Sequence, residues 1–172
     1  MLKISGSTMK IRVLIALAGL GAGFITPAFT QTTAKDLVGT WTLVSITLDQ
    51  DGKKTDFYGP NPQGQWIFEA NGRNSHIIIR SDLPKFASNN RQSGTAEENK
   101  AVVQGSFAFF GTYAVDEAAK TVTFHIESCT FPNWNGTDRK LSFNISGDEV
   151  DMKSSVSSTG TGSTQQVWKR TR

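Results

Sequence analysis

The sequence has one cysteine, two histidines and five prolines in 172 residues, and each shortage excludes a class of protein. A single cysteine, Cys129, excludes an intramolecular disulfide. His76 lies far along the chain from His125 and Cys129, so these residues have no metal-ligand spacing, and no phosphate-binding loop is present. Little proline together with 37% hydrophobic residues excludes a collagen or a disordered chain. We therefore expect a globular domain with neither a metal nor a cofactor.

The chain carries a net charge of +3, and the whole excess lies at the N-terminus. Lys3, Lys10 and Arg12 fall within the first 34 residues, which contain no acid, and the rest holds 15 basic and 15 acidic residues. Because this body is neutral, it offers no basic surface for phosphates, and we expect no nucleic-acid partner.

The N-terminal segment has the layout of a secretory signal peptide. Lys10 and Arg12 precede the apolar run Val13–Ile25, and small and polar residues follow it. The alternative is an uncleaved membrane anchor, but the run is short for a bilayer span. We predict a signal peptide over residues 1–30, with cleavage between 28 and 34. The processed protein would then be periplasmic or secreted and would have no stable membrane span.

The remaining chain consists of short segments rich in Val, Ile, Thr and aromatic residues, separated by turn signals such as Asp51-Gly52 and Asn71-Gly72. Eight segments of this kind predict an all-β domain, either a sandwich or an up-and-down barrel. The predicted strands are Val38–Leu48, Gln65–Ala70, Ser75–Arg80, Ser106–Val115, Thr121–Ser128, Lys140–Ile145, Glu149–Val156 and Thr164–Lys169.

Two segments break the strand pattern. Ser81–Gln104 is a long connection, and Thr95 followed by acidic residues is typical of a helix start, so we predict a flap that contains one short helix. Phe131–Arg139 is predicted to be a loop, because Pro132 prevents a regular ladder.

The hairpin from Ser106 to Ser128 has one apolar face and one mixed face. A turn at Asp116–Ala119 would pair Val115 with Lys120. The apolar face then carries Phe107, Phe109, Tyr113, Val115, Val122, Phe124 and Ile126, and the mixed face carries Ala108, Phe110, Thr112, Ala114, Thr121, Thr123, His125 and Glu127. In a barrel one of these faces lines the interior, and the sequence leaves open which one.

Gly39-Thr40-Trp41, on the first predicted strand, resembles the Gly-x-Trp signature of the lipocalins. In that family the tryptophan closes one end of the barrel and an arginine from the last strand packs over it. The resemblance implies structural roles for Gly39, Trp41 and Arg170, with Lys169 and Arg172 as alternatives to Arg170.

Four further segments resemble the lipocalin-like domain family of bacteria and fungi: Tyr58–Gly64, Phe109–Asp116, Lys120–Ser128 and Phe131–Arg139. The resemblance runs from about Leu37 to Arg170. It implies a single antiparallel up-and-down barrel of about eight strands over residues 37–172, with one short helix in a long loop.

A barrel of this family implies a ligand in its interior. Arg80 inside the barrel would bind a carboxylate or phosphate in a bidentate manner, and Tyr113 or Arg139 would anchor a polar group of the ligand. His125 and Glu127 lie two residues apart on one strand face, about 6–7 Å between Cα atoms, where the carboxylate could orient the imidazole. The candidate ligand-binding residues are Phe109, Tyr113, Phe124, His125, Glu127, Arg80, Trp134 and Arg139.

Three functions are compatible with these sequence patterns. The patterns favour a binding protein over an enzyme. The first is an exported protein that binds a small hydrophobic or amphipathic molecule in its barrel. The second is a small isomerase, cyclase or hydratase, with His125 as base and Glu127, Tyr113 or Arg80 as its partner. The third is a solid-cored envelope protein that binds an unknown protein partner. Cys129 is either a small buried residue or a nucleophile.

Overall fold

The structure, a computed structural model, describes residues 33–172, so the predicted signal peptide lies outside the described residues. Within this range the chain forms short helices and a single sheet. The strands are β1 (Gly39–Gln50), β2 (Lys53–Asp56), β3 (Gln63–Phe68), β4 (Arg73–Ile79), β5 (Ser106–Asp116), β6 (Thr121–Cys129), β7 (Thr137–Ser146), β8 (Glu149–Ser154) and β9 (Ser163–Arg170). The helices are α1 (Ala34–Leu37), α2 (Ala96–Gly105) and a 3-10 turn at Pro132–Trp134. None of the helices in residues 33–172 has the length and apolar character needed to cross a membrane.

The sheet closes on itself because β1 has partners on both sides. Consecutive strands from β3 to β9 pair antiparallel, the start of β1 pairs with β3, and β1 also pairs with β9 along most of its length. The result is a closed barrel of eight antiparallel strands, to which β2 adds a ninth strand beside the end of β1. The predicted lipocalin-like, all-β barrel with a short helix in a long loop is therefore confirmed.

Alternate residues of each strand face the interior, and most of these side chains are apolar. On β1 the buried residues are Trp41 and Leu43, followed by Ile46 and Leu48. A β-bulge between Leu43 and Ser45 causes this change of phase, and Val44 is half exposed there. Burial of each large side chain contributes about 1.5–3 kcal/mol, which is the main force that holds the barrel together.

The two ends of the barrel differ in the length of their connections. At one end the strands are joined by short turns at residues 69–72, 117–120 and 147–148. At the other end, which we call the mouth, longer connections run over residues 51–62, 80–105, 130–136 and 155–162. Binding residues often lie on connecting segments of this kind, so we expect a binding site at the mouth.

All eight predicted strands are present, and two details of the prediction were wrong. Val115 pairs with Val122 instead of Lys120, because the turn occupies Glu117–Lys120 and Lys120 adopts a positive φ of 51°. The shift is an even number of residues, so the faces of the hairpin were assigned correctly. The segment Phe131–Arg139 is a loop only as far as Gly136, and β7 begins at Thr137.

Three short elements carried no signal in the sequence, namely α1, β2 and the 3-10 turn. The helix α2 does begin at the predicted position. The Thr95 hydroxyl accepts a hydrogen bond from the Glu98 N–H, and the Glu98 carboxylate accepts one from the Thr95 N–H. This capping box satisfies N–H groups that the first turn of a helix leaves free.

Candidate functional site

The apolar face of the β5–β6 hairpin lines the barrel interior. Phe109, Phe124 and Ile126 are buried, whereas His125 and Glu127 point outward. The sequence left open which face of the hairpin is inside. The apolar face is inside because burial there removes large aromatic and aliphatic surfaces from water, whereas the ionisable groups of the other face remain solvated.

An internal cavity of about 60 Å³ lies between the barrel walls and the mouth. Its walls are mostly aromatic and aliphatic, with a few polar side chains among them. The lining residues are Ile46, Phe57, Tyr58, Trp66, His76, Ile78, Phe107, Phe109, Phe124, Ile126, Trp134, Arg139, Leu141, Ser154, Val156, Ser157, Ser158, Thr164 and Gln166.

A second, wider cavity of about 400 Å³ lies at the mouth. Phe57, Tyr58, Phe107 and Ser158 line both cavities, so the two adjoin each other. The other residues of the mouth cavity are Arg80, Val103, Gln104, Ser106, Thr130, Phe131 and Thr159. The long connections and the end of α2 thus frame an opening that leads toward the barrel interior.

Aromatic rings surround His76 on several sides. Its ring centroid lies 4.4 Å from that of Trp66, 4.8 Å from that of Phe109 and 5.3 Å from that of Trp168. Phe124 packs on Trp66 at 5.0 Å. These rings come from five different strands, and they form an aromatic cage in the middle of the barrel.

His76 is a polar group inside this cage and is only 3% exposed. Neither ring nitrogen makes a hydrogen bond of normal geometry with a described residue. Burial lowers the pKa of His76 to about 3, and the nearby Gln166 side chain offsets only part of this effect. The imidazole is therefore neutral at ordinary pH, and its donor N–H and its acceptor nitrogen make no hydrogen bond of normal geometry to the residues that the structure describes.

Arg139 provides a positive charge beside the same cavity. Its guanidinium carbon lies 3.9 Å above the ring of Trp134, and its buried Nε has no hydrogen-bond partner among the described residues. Burial lowers the pKa of Arg139 from its usual value, but an arginine stays charged in a protein. The stacked guanidinium is thus held in place by the indole, while Nε–H remains free to donate.

Arg80 and Tyr58 lie at the mouth. Arg80 follows β4 and donates two hydrogen bonds to the Asp82 carboxylate, at 2.8 and 2.7 Å, so an acidic neighbour already balances its charge. Burial raises the pKa of Tyr58, so this side chain is a neutral phenol.

Three of the predicted ligand-binding residues lie away from the cavity. Tyr113 faces inward near the short-turn end, where its hydroxyl donates to the Glu69 carbonyl at 2.9 Å. His125 Nδ1 lies 2.8 Å from an Asp138 carboxylate oxygen on the outer surface. Glu127 accepts two hydrogen bonds from Arg73 there, at 2.7 and 3.0 Å. The Glu127 carboxylate therefore does not orient the His125 imidazole, since Glu127 binds Arg73 and His125 binds Asp138.

The other five predicted residues line the two cavities: Phe109, Phe124, Trp134 and Arg139 the internal one, and Arg80 the mouth. The prediction did not include His76, Trp66 and Gln166, which also line the internal cavity. For His76 the available signal was its alternation with Ile78, which places the two side chains on the same face of the predicted strand.

Cys129 is a free, partly buried thiol at the end of β6. Its Sγ accepts a hydrogen bond from the Phe131 N–H at 3.3 Å, and burial raises the pKa of the thiol. A nucleophilic cysteine needs the opposite shift, so the geometry favours a packing role. Residues 33–172 contain no group of three or more side chains arranged to bind a metal.

The short-turn end is closed by Trp41. Its ring is fully buried, and its Nε1–H donates to the Leu37 carbonyl at 2.8 Å. The Arg170 guanidinium carbon lies 4.2 Å above the ring, and Arg170 also donates to the Val38 carbonyl at 2.9 Å.

A closed eight-stranded antiparallel barrel, sealed at one end by stacked tryptophan and arginine and open at the other over an apolar cavity, defines a lipocalin-like protein. The sequence profile of the lipocalin-like domain matches residues 38–171, and the chain belongs to this family.

One curated protein is similar over part of the chain. It is the 4'-hydroxy-3'-methoxypropiophenone carrier protein ppsC of Aspergillus oryzae, 27% identical over 81 residues, which cover 44% of this chain and 73% of that protein.

Solved structures of similar fold have low sequence identity to this chain. A biogenic amine-binding protein has a TM-score of 0.43 at 12% identity and is matched over 82% of this chain and 67% of its own. The fatty acid transporter REP1-NXSQ has a TM-score of 0.38 at 13% identity and is matched over 81% of this chain and 98% of its own. The tryptamine complex of the amine binding protein of Rhodnius prolixus has a TM-score of 0.42 at 11% identity and is matched over 82% of this chain and 67% of its own. Likeness at this distance carries no information about the ligand.

Proposed function

We propose that this protein is exported and binds a small, mostly apolar molecule inside its barrel. The observation that carries the proposal is the aromatic-lined cavity beneath a wider mouth. Burial of an apolar ligand surface there contributes about 25 cal/mol per Å², and the few polar side chains would orient the ligand.

The dimensions of the cavities restrict the ligand. The internal cavity of about 60 Å³ is smaller than the roughly 150 Å³ of an engineered cavity that binds benzene. A ligand therefore extends into the mouth, or side chains at the boundary rotate to admit it. Phe107 lines both cavities and packs against Trp134 of the internal cavity, with ring centroids 5.5 Å apart, and both are only partly buried.

The relative from Aspergillus oryzae supports an aromatic ligand. Its name describes a carrier of a substituted propiophenone, which is an aromatic ketone. Trp66, His76, Phe109 and Phe124 present ring faces and edges to which a planar aromatic molecule would pack.

No observation favours the enzyme. His125, the expected base, lies on the outer surface with a side chain 53% exposed, and its partner there is Asp138. The small volume of the internal cavity is the one feature that favours the solid-cored alternative. A protein that binds no compound in the experiments below would support that alternative.

The first experiment is native mass spectrometry of the processed protein, purified without detergent from the compartment to which it is exported. We expect an additional mass that solvent extraction releases. A titration with small aromatic compounds, followed by tryptophan fluorescence, then measures affinity, because Trp66 and Trp134 line the cavity.

Blocking the mouth provides the matched control. Ser158 lines both cavities, so Ser158→Trp is expected to abolish binding. Ser155 lies in the same connection, is exposed and lines neither cavity, so Ser155→Trp should bind normally. Binding that survives Ser158→Trp, or a protein that binds no compound in either assay, contradicts the proposal.

Export has its own test. Cell fractionation and N-terminal sequencing should find the processed chain in the periplasm or the medium, beginning after a residue between 28 and 34. A cytoplasmic protein that retains residues 1–30 would contradict this part of the proposal.

A further inference from the structure

We propose that the ligand is a small aromatic acid, whose carboxylate pairs with Arg139 while its ring packs among the cavity aromatics. This inference rests on the proposed binding function and specifies the chemistry of the molecule bound. It predicts an order of preference in which acids bind more tightly than neutral analogues, and amines bind weakest.

The charges that line the two cavities support this order. Among the described residues, neither cavity is lined by an aspartate or a glutamate, and each is lined by one arginine. At the mouth, Arg80 forms an ion pair with Asp82, which leaves little net charge for a ligand. The unbalanced charge is therefore that of Arg139, which lines the internal cavity.

Arg139 takes part in none of the ion pairs formed within residues 33–172. Its Nε is buried without a hydrogen-bond partner in this range. A buried donor without a partner costs free energy, and the cost is larger when the group is charged. An anion that accepts hydrogen bonds from the guanidinium would remove this cost when it binds.

The surroundings of Arg139 hold its guanidinium in a defined position. Trp134 lies beneath it at 3.9 Å, and the rings of Phe131 and Phe107 pack against Trp134 at 5.8 and 5.5 Å. Stacking on an indole occupies one face of the guanidinium and leaves its edge for hydrogen bonds in the plane. A planar fork of donors matches a carboxylate, which accepts two parallel hydrogen bonds.

The second polar group of the cavity does not favour an amine. His76 is neutral, because burial lowers its pKa to about 3, so it supplies no charge of either sign at ordinary pH. An ammonium group in the cavity would meet the positive Arg139 and no described carboxylate. A neutral ligand avoids this repulsion but leaves the guanidinium without an anion.

The experiment compares three probes of similar size and different charge: 3-phenylpropionate, 3-phenylpropanamide and 3-phenylpropylamine. Affinities for the full processed protein are measured by calorimetry at neutral pH. We expect the acid to bind about 10- to 100-fold more tightly than the amide, as for a hydrogen bond to a charged group. The amine should bind more weakly than the amide.

Arg139→Gln should reduce the affinity for the acid to that for the amide and change the amide affinity less than about threefold. The matched control is Lys140→Gln, because Lys140 is the next residue of β7 and lies exposed on its opposite face. It removes the same charge from the protein and should leave the preference for the acid unchanged. Arg139→Lys keeps the charge without the fork, so some preference for the acid should remain.

The outcomes separate this inference from the proposed function. Equal binding of acid and amide, or a preference for the amine, overturns the anion inference and leaves a ligand-binding barrel. If no probe binds and native mass spectrometry finds only the unliganded protein, the proposed function itself fails. If no probe binds but a molecule is extracted, its charge decides: an acid supports the inference, and a neutral or basic molecule overturns it. The unmodified protein suffices for these comparisons should Arg139→Gln not fold.

Discussion

Arg170, on the last strand, lies across the face of Trp41, on the first, with 4.2 Å between the guanidinium carbon and the ring centroid. Gly39 makes room for it: a Cβ at this position would lie 3.0 Å from Arg170 Nη1, and the backbone φ of +130° disfavours any side chain. The three residues thus seal the short-turn end as one unit.

Loss of this seal should destabilise the barrel. Arg170→Ala removes the contact with the Trp41 ring and the hydrogen bond to the Val38 carbonyl, so we expect a loss of about 2–4 kcal/mol in the free energy of unfolding. Urea denaturation followed by tryptophan fluorescence measures it. Arg172→Ala is the control, since among residues 33–172 the side chain of this exposed arginine bonds to the Asp148 carboxylate alone. Similar losses for both variants would refute the role of the stacked arginine.

The burial of His76 should make stability depend on pH. Its pKa is about 3 in the folded protein and near the ordinary 6.5 when unfolded, so between these values the unfolded chain binds the extra proton. The part of the stability that depends on His76 is therefore complete above pH 6.5 and decreases toward pH 3, by up to about 1.4 kcal/mol per pH unit. The measurement is the free energy of unfolding from pH 7 to pH 4.

His76→Phe removes the titrating group and should make this pH dependence less steep. The comparison variant is His125→Phe, which changes the histidine of the outer face. An unchanged slope in His76→Phe, or a slope lost only in His125→Phe, would show that the proton uptake occurs elsewhere.

Gly111 should tolerate no side chain. It lies at the bulge of the β5–β6 pair, where an added Cβ would collide with the carbonyl oxygen of His125. We expect Gly111→Ala to cost about 3 kcal/mol or more, or to prevent folding, because backbone has to move. Gly136 has a φ of +70° but open space around it, so Gly136→Ala should cost only about 1–2 kcal/mol. Chemical denaturation compares the two, and equal costs would contradict the steric explanation.

The start of α2 should depend on the Glu98 carboxylate. This group accepts hydrogen bonds from the Thr95 and Ala87 N–H groups, both at 2.8 Å, and they lower its pKa. Glu98→Ala should therefore speed amide exchange at Thr95 and Ala87, as followed by NMR. Glu97 lies beside it in the same helix turn and is exposed, and Glu97→Ala should leave both amides protected. Equal exchange in the two variants would argue against the capping box.

The barrel was predictable because its information is local. Alternation of apolar and polar residues marks each strand, and Asn71-Gly72 and Gly147-Asp148 mark turns. The strand β2 was missed because its side chains, Lys53–Asp56, are all exposed, which leaves no alternation of burial to detect.

The site was only partly predictable, since it depends on contacts between distant strands. The periodicity of β6 defines two faces but does not say which one is inside; packing of Phe124 against Trp66 from β3 decides it. Tyr113 does face inward, yet it lies near the sealed end, and a two-residue period carries no information about depth along the barrel. The rings around His76 likewise come from other strands, so no local sequence pattern predicts them.

The pairing of β1 with β9 has a consequence for folding kinetics. Trp41 pairs with Arg170 and Asp49 with Ser163, so the barrel closes only through contacts between the two ends of the domain. Contacts of such long sequence separation form late, and β-proteins rich in them fold in about milliseconds to seconds. Until the eight residues of β9 are in place, β1 and β8 each keep an unpaired edge to which another chain can add. The interval before closure is therefore when this protein is most exposed to aggregation.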